Sequence, residues 1–340
     1  MAKLGVAVLG VGDMGRRHAE NLRRFVPEAR LVAVVDVDAE RARRVANELE
    51  VEHSFGNAEA VLERKDVHAI IIASPDKFHA ATVERAAAAG KHILCEKPLA
   101  MSLAEAAPAL DAVARAGVCL QVGFMRRYDP AYAAAKKRIE AGEIGDPVIF
   151  KSLGRDRDAP PLSHYEAKLN GMLYFNSSIH EFDLARWLMQ DEVAEVHSYA
   201  TVLGRPEVAR FGDIVAGVVN LRFLKGAIGN VESYVQSQYG YDVRTEIVGS
   251  KGTLMVGYLA ETAATVLTAS GSSRDVVGHY LARFADAYVS EMRDFVETVI
   301  AGRAPRVSGE DGWRSVAIAE AAVESCRESR PVAVRDHLKV

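Results

Sequence analysis

The sequence predicts an α/β protein with two domains, a doubly wound parallel sheet followed by a domain built on an antiparallel sheet. Up to about residue 122, apolar runs of strand length alternate with amphipathic helical stretches, which is typical of parallel sheets. From Glu192 to about Ala269, short alternating runs follow one another with only turns between them, which favours antiparallel pairing. A length of 340 residues also fits two domains better than one.

The first domain, assigned to residues 1–122, contains five apolar runs that are predicted strands. These runs are Leu4–Leu9, Leu31–Val35, His68–Ala73, His92–Cys95 and Val118–Val122. The predicted helices between them are Met14–Arg24, Ala39–Leu49, Ala58–Arg64, Phe78–Ala89 and Leu103–Ala116. Helix punctuation agrees, since Gly90 follows one helix as a C′ glycine and Ser102 with Glu105 forms a capping box before another.

The second domain, assigned to residues 123–340, begins with a predicted helix at Ala131–Glu140 and a strand at Pro147–Leu153. The stretch Arg155–Gly171 has turn residues and no period, so it is predicted to be a binding loop. Two helices, Leu281–Ala301 and Glu310–Glu328, are expected near the end of the chain, from where they can pack back on the first domain.

The motif G-x-G-x-x-G lies between the first predicted strand and helix, formed by Gly10, Gly12 and Gly15. In this context it predicts a dinucleotide site, because the glycines allow a tight turn and the helix N-terminus faces a pyrophosphate. Asp36 ends the second predicted strand, 21 residues after Gly15. A carboxylate there binds ribose hydroxyls and repels a 2′-phosphate, and no Arg or Lys is expected next to it. The predicted cofactor is therefore NAD rather than NADP.

Further cofactor contacts are predicted at the carboxyl ends of the parallel strands, where such sheets bind their ligands. The candidates are Asp13, Met14, Ser74, His79, Glu96 and Lys97. His79 is equally compatible with an ordinary place in the first turn of a helix. Lys97 could bridge cofactor and substrate, although a solvated lysine is the more common outcome.

Composition and charge exclude several classes of function. The formal net charge of −4 does not indicate a nucleic acid or an anionic membrane as a partner, and no apolar run approaches the ~18 residues of a membrane span. Three widely spaced cysteines, with no C-x-x-C pair, favour free thiols in a reducing cytoplasm and argue against a metal site.

In the second domain, Asn176 and His180 are four residues apart at the start of a predicted amphipathic helix. If the helix begins early enough, the two side chains share one face. Either residue taken alone would more often be structural than functional.

Together with E-K-P at Glu96–Pro98 and the sheet domain, these features make the chain resemble the Gfo/Idh/MocA oxidoreductase family, and within it the inositol 2-dehydrogenases. The resemblance covers essentially the whole chain. Its most specific segments are G-F-M-R-R-Y-D-P, I-H-E-F-D-L-A-R-W-L, Y-G-Y-D-V-R-T-E-I-V-G-S-K-G and V-S-G-E-D-G.

The resemblance implies a Rossmann domain followed by an α/β domain with a large open, mainly antiparallel sheet, whose flat face commonly forms dimers or tetramers. It implies a polyol or sugar substrate, with Lys97 as the active-site lysine and His180 as the general acid/base. Arg127, Asp156, Asn176 and Tyr239 are counted with Lys97 and His180 as substrate residues, and Asn176 is also counted with these two as catalytic.

One position departs from the family, because inositol dehydrogenases usually carry Asp where this chain has Asn176. Asparagine can orient an imidazole but adds no charge, which leaves the particular substrate open. The alternatives are an aldose or sugar-derivative dehydrogenase of the same family, a glycosidase that uses NAD transiently, and a non-catalytic NAD-binding sensor. A short-chain dehydrogenase motif at Tyr132 and Lys136 is rejected because the glycine spacing is not that family's.

Overall fold

The structure is a computed structural model that describes residues 3–167 and 173–335. Two compact units divide the described residues. One takes the chain up to Tyr128 together with Asp286–Val316, and the other takes Asp129–Ala285 and the chain from Ala317 onward. The predicted domains meet at a single boundary, after residue 122, whereas the chain passes between these two units three times.

The first unit is built on a six-stranded sheet with the order β3-β2-β1-β4-β5-β6, in which every strand pair is parallel. Its strands are β1 (Leu4–Leu9), β2 (Ala29–Val35), β3 (His53–Phe55), β4 (Ala69–Ile72), β5 (His92–Glu96) and β6 (Leu120–Gly123). The connecting helices are α1 (Asp13–Phe25), α2 (Ala39–Glu48), α3 (Glu59–Leu62), α4 (His79–Ala88) and α5 (Leu103–Ala116). The predicted Rossmann domain is confirmed, and β3 is an additional short strand.

The rest of the chain begins with α6 (Pro130–Glu140), β7 (Pro147–Arg155), α7 (Leu162–Ala167), α8 (Leu173–Asn176) and α9 (Ile179–Met189). Seven strands follow, β8 (Val193–Thr201), β9 (Ala216–Phe223), β10 (Ile228–Tyr234), β11 (Asp242–Gly249), β12 (Thr253–Val256), β13 (Val266–Thr268) and β14 (Gly271–Ser273). The chain then forms α10 (Tyr280–Arg283), α11 (Ala285–Ala301), α12 (Gly309–Glu328) and β15 (Val332–Ala333).

The second unit contains a seven-stranded sheet with the order β12-β11-β7-β10-β9-β8-β15. In the described part of this sheet, β7 and β10 are parallel and all other neighbours are antiparallel, as the mainly antiparallel prediction requires. One sheet face is packed beneath α9, where Phe182 is fully buried. The opposite face is more open, since Tyr199 and Val218 are 60% and 38% exposed.

Helix α11 completes the core of the first unit, although it lies far along the chain. Met292, Phe295 and Val296 are buried with the strand residues Val8 and Ile71 in one apolar cluster. Their spacing places the three side chains on one face of the helix, so the helix buries that face against the sheet layer.

Two elements of the second half differ from the sequence prediction. The predicted helix Leu281–Ala301 is divided into α10 and α11, because the backbone of Phe284 leaves helical geometry with φ −115° and ψ 23°. The predicted loop Arg155–Gly171 contains helix α7, and its last residues lie outside the described chain. Among the described helices, none is long and apolar enough to cross a bilayer.

Candidate active site

The glycine-rich turn after β1 has no room for a side chain at two of its three glycines, Gly10 and Gly15. Gly10 has a φ of +82°, and a Cβ atom on Gly15 would lie 1.7 Å from the carbonyl oxygen of Gly10. At Gly12 the Cβ position is open, with no atom within 4 Å. Asp13 and Met14 then form the first turn of α1, whose N-cap Gly12 has no side chain to bond the first amides. The turn leaves space and backbone donors for an anionic group.

Asp36 is held at the end of β2 with its carboxylate aimed at this turn. Its Oδ2 accepts a hydrogen bond from the Val11 amide at 2.9 Å, and its Oδ1 accepts one from the Asp38 amide at 2.9 Å. The expectation that no cation lies next to Asp36 is wrong, because Arg41 Nη1 is 3.3 Å from both carboxylate oxygens. Asp38 caps α2 immediately after β2, so the first turn of that helix brings Arg41 back to Asp36.

These residues fit NAD. The open position at Gly12 accommodates a pyrophosphate, and the fixed carboxylate of Asp36 is a natural acceptor for ribose hydroxyls. In addition, the buried Ser74 Oγ, just after β4, has no hydrogen-bond partner among the described residues. Such an atom is costly unless a ligand or a water satisfies it.

Lys97 follows β5 directly and is half-buried. The preceding Glu96 is buried, and its Oε1 lies 2.7 Å from His18 Nε2 on α1. Its Oε2 accepts a hydrogen bond from the backbone amide of Lys97 at 3.3 Å. Burial raises the pKa of Glu96. The hydrogen bond and charge of His18 and the charge of Lys97 lower the pKa by more than burial raises it, so the pKa of Glu96 lies below its ordinary value. Glu96 is therefore a carboxylate, and its hydrogen bond from the Lys97 amide helps to fix the backbone of that lysine.

His79 lies at the first position of α4 and is 1% exposed. Its ring nitrogens contact two carbonyl oxygens of the chain, those of Ser74 and Pro98. Both nitrogens are thus engaged by the protein itself. The predicted contact with the cofactor stays a prediction for this residue.

Arg127 lies in the short 3₁₀ turn after β6, in the first unit. Its Nη2 donates to Asp311 Oδ1 at 2.8 Å, and both side chains are largely buried. Asp311 belongs to the segment V-S-G-E-D-G at the start of α12, where its Oδ2 also accepts from the amide of Ser308 at 2.8 Å. A tightly held guanidinium of this kind is suited to bind hydroxyl groups at a defined place.

In the second unit, Asn176 and His180 do not share one continuous helix. Asn176 ends α8 and His180 is the second residue of α9, with Ser177 and Ser178 between them. The serine side chains bond elsewhere, because Ser177 Oγ donates to Asp156 Oδ2 at 2.9 Å and Ser178 Oγ lies 2.8 Å from Ser233 Oγ on β10. These tertiary hydrogen bonds accompany the break in the helix.

The structure thereby brings Asp156 next to the segment that carries Asn176 and His180. Asp156 follows β7, and its amide donates to the carbonyl of Tyr234 at the end of the parallel strand β10. Tyr239 lies beyond that end, where its hydroxyl donates to Asp242 at 2.8 Å and accepts from Arg155 at 2.9 Å. The predicted substrate residues of this unit therefore gather around the carboxyl ends of β7 and β10.

No group of three or more potential metal ligands occurs among residues 3–167 and 173–335. Cys95, Cys119 and Cys326 are free thiols. Burial raises the pKa of Cys119 to about 11, so this thiol stays protonated at neutral pH.

Sequence reasoning did not find His18, Arg41, Ser177 and Asp311. His18 and Asp311 act on residues far along the chain, at Glu96 and Arg127, so no local pattern indicates them. Arg41 did carry a signal, since it lies one helical turn after the N-cap that follows Asp36.

Two family models together match nearly the whole chain. Residues 4–124 match the model of an oxidoreductase family with an NAD-binding Rossmann fold, and residues 136–334 match the C-terminal alpha/beta domain of that family. The scyllo-inositol 2-dehydrogenase (NAD(+)) of Bacillus subtilis is 40% identical over 326 residues, which cover 96% of this chain and 95% of that protein.

Two further proteins resemble the chain over nearly its whole length. The myo-inositol 2-dehydrogenase of Thermotoga maritima is 34% identical, with 97% of this chain and 98% of that protein covered. A crystal structure of scyllo-inositol dehydrogenase from Lactobacillus casei with bound cofactor NAD(H) and scyllo-inositol has a TM-score of 0.91 at 27% identity. That match covers 98% of this chain and 99% of the crystallised one.

Proposed function

Because this chain belongs to the Gfo/Idh/MocA oxidoreductase family, with NAD as its cofactor, we propose that it oxidises a ring secondary alcohol of a cyclitol such as an inositol to the ketone. The observation that carries this proposal is the placement of Asp156 beside the segment bearing Asn176 and His180. A carboxylate, an amide and an imidazole at one sheet end supply the donors and acceptors that a ring of hydroxyl groups needs.

The proposed catalytic residues are His180 and Lys97, with Asn176 orienting the imidazole of His180. His180 takes the proton of the reacting hydroxyl, and Lys97 donates a hydrogen bond to the reacting oxygen and steadies its developing charge. When bound, NAD accepts the hydride at nicotinamide C4. In the reverse direction the same imidazole returns the proton to the ketone oxygen.

The remaining proposed substrate contacts are Arg127, Asp156, Asn176 and Tyr239. Selectivity follows from the number of these polar groups, because a ligand that lacks a hydroxyl loses the hydrogen bond to one of them. The hydroxyl group of Tyr239 already donates its proton in the hydrogen bond to Asp242, so its oxygen would act as a hydrogen-bond acceptor for the substrate.

The proposed function is tested with a panel of inositol isomers and aldoses, with NAD and with NADP, read as the absorbance of the reduced cofactor. We expect turnover of at least one cyclitol with NAD, and its loss in His180→Gln. Turnover of aldoses alone would replace the cyclitol by a sugar. Hydrolysis of a glycoside without net NADH would indicate a glycosidase, and NAD binding without any turnover would indicate a sensor.

The proposal extends to the assembly and its place in the cell. We place the protein in the cytoplasm, where its three thiols stay reduced, and assign it a dimer or tetramer formed through the open face of the second sheet. Exposed Tyr199 and Val218 on that face support a homo-oligomer. Light scattering coupled to size-exclusion chromatography, repeated with Tyr199→Glu, tests the assembly.

Changing Asn176 to aspartate is expected to shift the acid limb of the kcat profile to higher pH by about one unit. A nearby carboxylate favours the imidazolium and raises the pKa of His180 by ~1–3 units, so the neutral base is reached only at higher pH. The order of preference among polyols should also change. The measurement is kcat against pH for both proteins, with a substrate deuterium isotope effect to verify that hydride transfer limits turnover.

Asn47→Asp is the matched control for this experiment, since Asn47 is exposed on α2 in the first unit and the substitution adds the same charge. Its acid limb should coincide with that of the unmodified protein. An acid limb that does not move in Asn176→Asp, with hydride transfer still limiting, means that Asn176 does not act on His180 or that His180 is not the base.

A further inference from the structure

The imidazole of His79 joins two loops of the first unit that carry predicted site residues. Its Nε2 lies 2.7 Å from the carbonyl oxygen of Ser74, in the loop after β4. Its Nδ1 lies 2.7 Å from the carbonyl oxygen of Pro98, in the loop after β5 that begins with Lys97. The residue is 1% exposed, so water does not compete for either contact.

The chemistry of these two partners decides the state of the ring. A carbonyl oxygen only accepts hydrogen bonds, whereas a neutral imidazole carries one N–H and one lone pair. A neutral His79 would therefore hold a lone pair against a carbonyl oxygen at 2.7 Å, whichever tautomer it adopts. The imidazolium satisfies both contacts, because both of its nitrogens donate.

We infer that His79 is held as an imidazolium that cross-links the loops after β4 and β5, and that it acts as a positioning residue for Lys97. The inference rests on the proposed function for the role of Lys97. The anchored carbonyl of Pro98 is one residue beyond Lys97, and Glu96 on the other side of Lys97 is anchored by His18. The lysine backbone is thus fixed from both sides.

Some of the charges around His79 favour its imidazolium form and others disfavour it. The N-terminus of α4 disfavours a cation at its first position, and Lys97 carries the same charge as the ring. The carboxylate of Glu96 favours the imidazolium, and His79 is in turn one of the groups that lower the pKa of Glu96. On the turn before α4, Asp76 and Lys77 carry opposite charges. Burial also disfavours the charged ring. We infer the cation from the two carbonyl acceptors, since hydrogen bonds from a charged donor are stronger than neutral ones and a neutral ring would turn a lone pair towards one of them.

The ionisation state is tested on the intact protein by nuclear magnetic resonance of ¹⁵N-labelled histidines at about pH 8.5. The spectrum should contain a histidine with two protonated ring nitrogens whose signal is missing in His79→Gln. His68→Gln is the matched control, because His68 Nδ1 accepts a hydrogen bond from the Gly5 amide at the opposite end of the same sheet. The inference is overturned if the signal lost in His79→Gln is that of a neutral ring.

The positioning role is tested separately, first without any substrate. Lysines are reductively methylated with ¹³C-formaldehyde, and the Lys97 resonance is identified by its absence in Lys97→Ala. This resonance should shift in His79→Gln and stay unchanged in His68→Gln. An unchanged resonance in both variants contradicts the positioning role even if no substrate of the protein is known.

With a substrate in hand, His79→Gln should lower kcat at least about tenfold while the Kd of NAD changes little, because a displacement of about 1 Å costs up to ~10²-fold in rate. His68→Gln should retain its kcat at temperatures below its own unfolding transition. Equal kcat values for His79→Gln and the unmodified protein would overturn the positioning role. Absence of turnover in the unmodified protein would count against the proposed function alone, since both resonance experiments remain readable.

Discussion

Replacing Lys97 with alanine is expected to lower kcat by a factor on the order of a hundred or more, the usual cost of removing one positioned donor at the reacting oxygen. The Kd of NAD should change much less, because the glycine turn and Asp36 are untouched. The measurement combines steady-state kinetics with a fluorescence titration of NAD. Lys97→Arg should not restore activity, since a guanidinium is larger and planar and does not place one donor at the same point.

The matched control is Lys77→Ala, an exposed lysine on the turn before α4, in the same unit. This variant should keep the turnover of the unmodified protein. Turnover of Lys97→Ala close to that of Lys77→Ala would remove Lys97 from the mechanism and favour a protein that binds NAD without using it.

Replacing Asp36 with serine is expected to raise kcat/KM for NADP by about 10- to 100-fold and to lower that for NAD. The carboxylate that repels a 2′-phosphate is then gone, and the guanidinium of Arg41, 3.3 Å from its oxygens in the structure, becomes available to the phosphate. A charged hydrogen bond of ~1.5–3 kcal/mol corresponds to a gain of this size. No second substitution is needed to supply a cation.

The double variant Asp36→Ser/Arg41→Ala separates the two effects, and kcat/KM is measured for both cofactors in each protein. It should lose most of the gain with NADP, since only the relief of repulsion remains. If kcat/KM for NADP is the same in the double variant and in Asp36→Ser, Arg41 plays no part in binding the 2′-phosphate. Equal use of NAD and NADP by the unmodified protein would contradict the assignment of Asp36 itself.

Local sequence patterns were sufficient to predict the cofactor-binding half of the protein. The spacing of Gly10, Gly12 and Gly15 and the distance to Asp36 are properties of one strand, one helix and the next strand, so the sequence carries them directly. The alternation of apolar runs predicted the parallel sheet for the same reason. The short strand β3 was not predicted because its three residues are only half-buried and show no apolar run.

Features that depend on contacts between distant segments could not be predicted in this way. The bond from His18 to Glu96 joins residues 78 positions apart, and a lone histidine on a helix gives no sign of it. The break between α8 and α9 is accompanied by hydrogen bonds from Ser177 to Asp156 and between Ser178 and Ser233, which are contacts with distant segments of the second unit. An amphipathic pattern alone continues the helix through them.

The packing of α11 also determines when the first unit can finish folding during protein synthesis. The ribosome releases the first sheet early, but Met292, Phe295 and Val296, which finish its core, are made only after strands β7 to β14. The nascent first unit therefore exposes apolar surface while residues 124–291 are translated, a state that favours aggregation or binding of a chaperone. A stop codon at the first boundary between the units, after Tyr128, yields a fragment with an unfinished core, not an independent cofactor-binding domain.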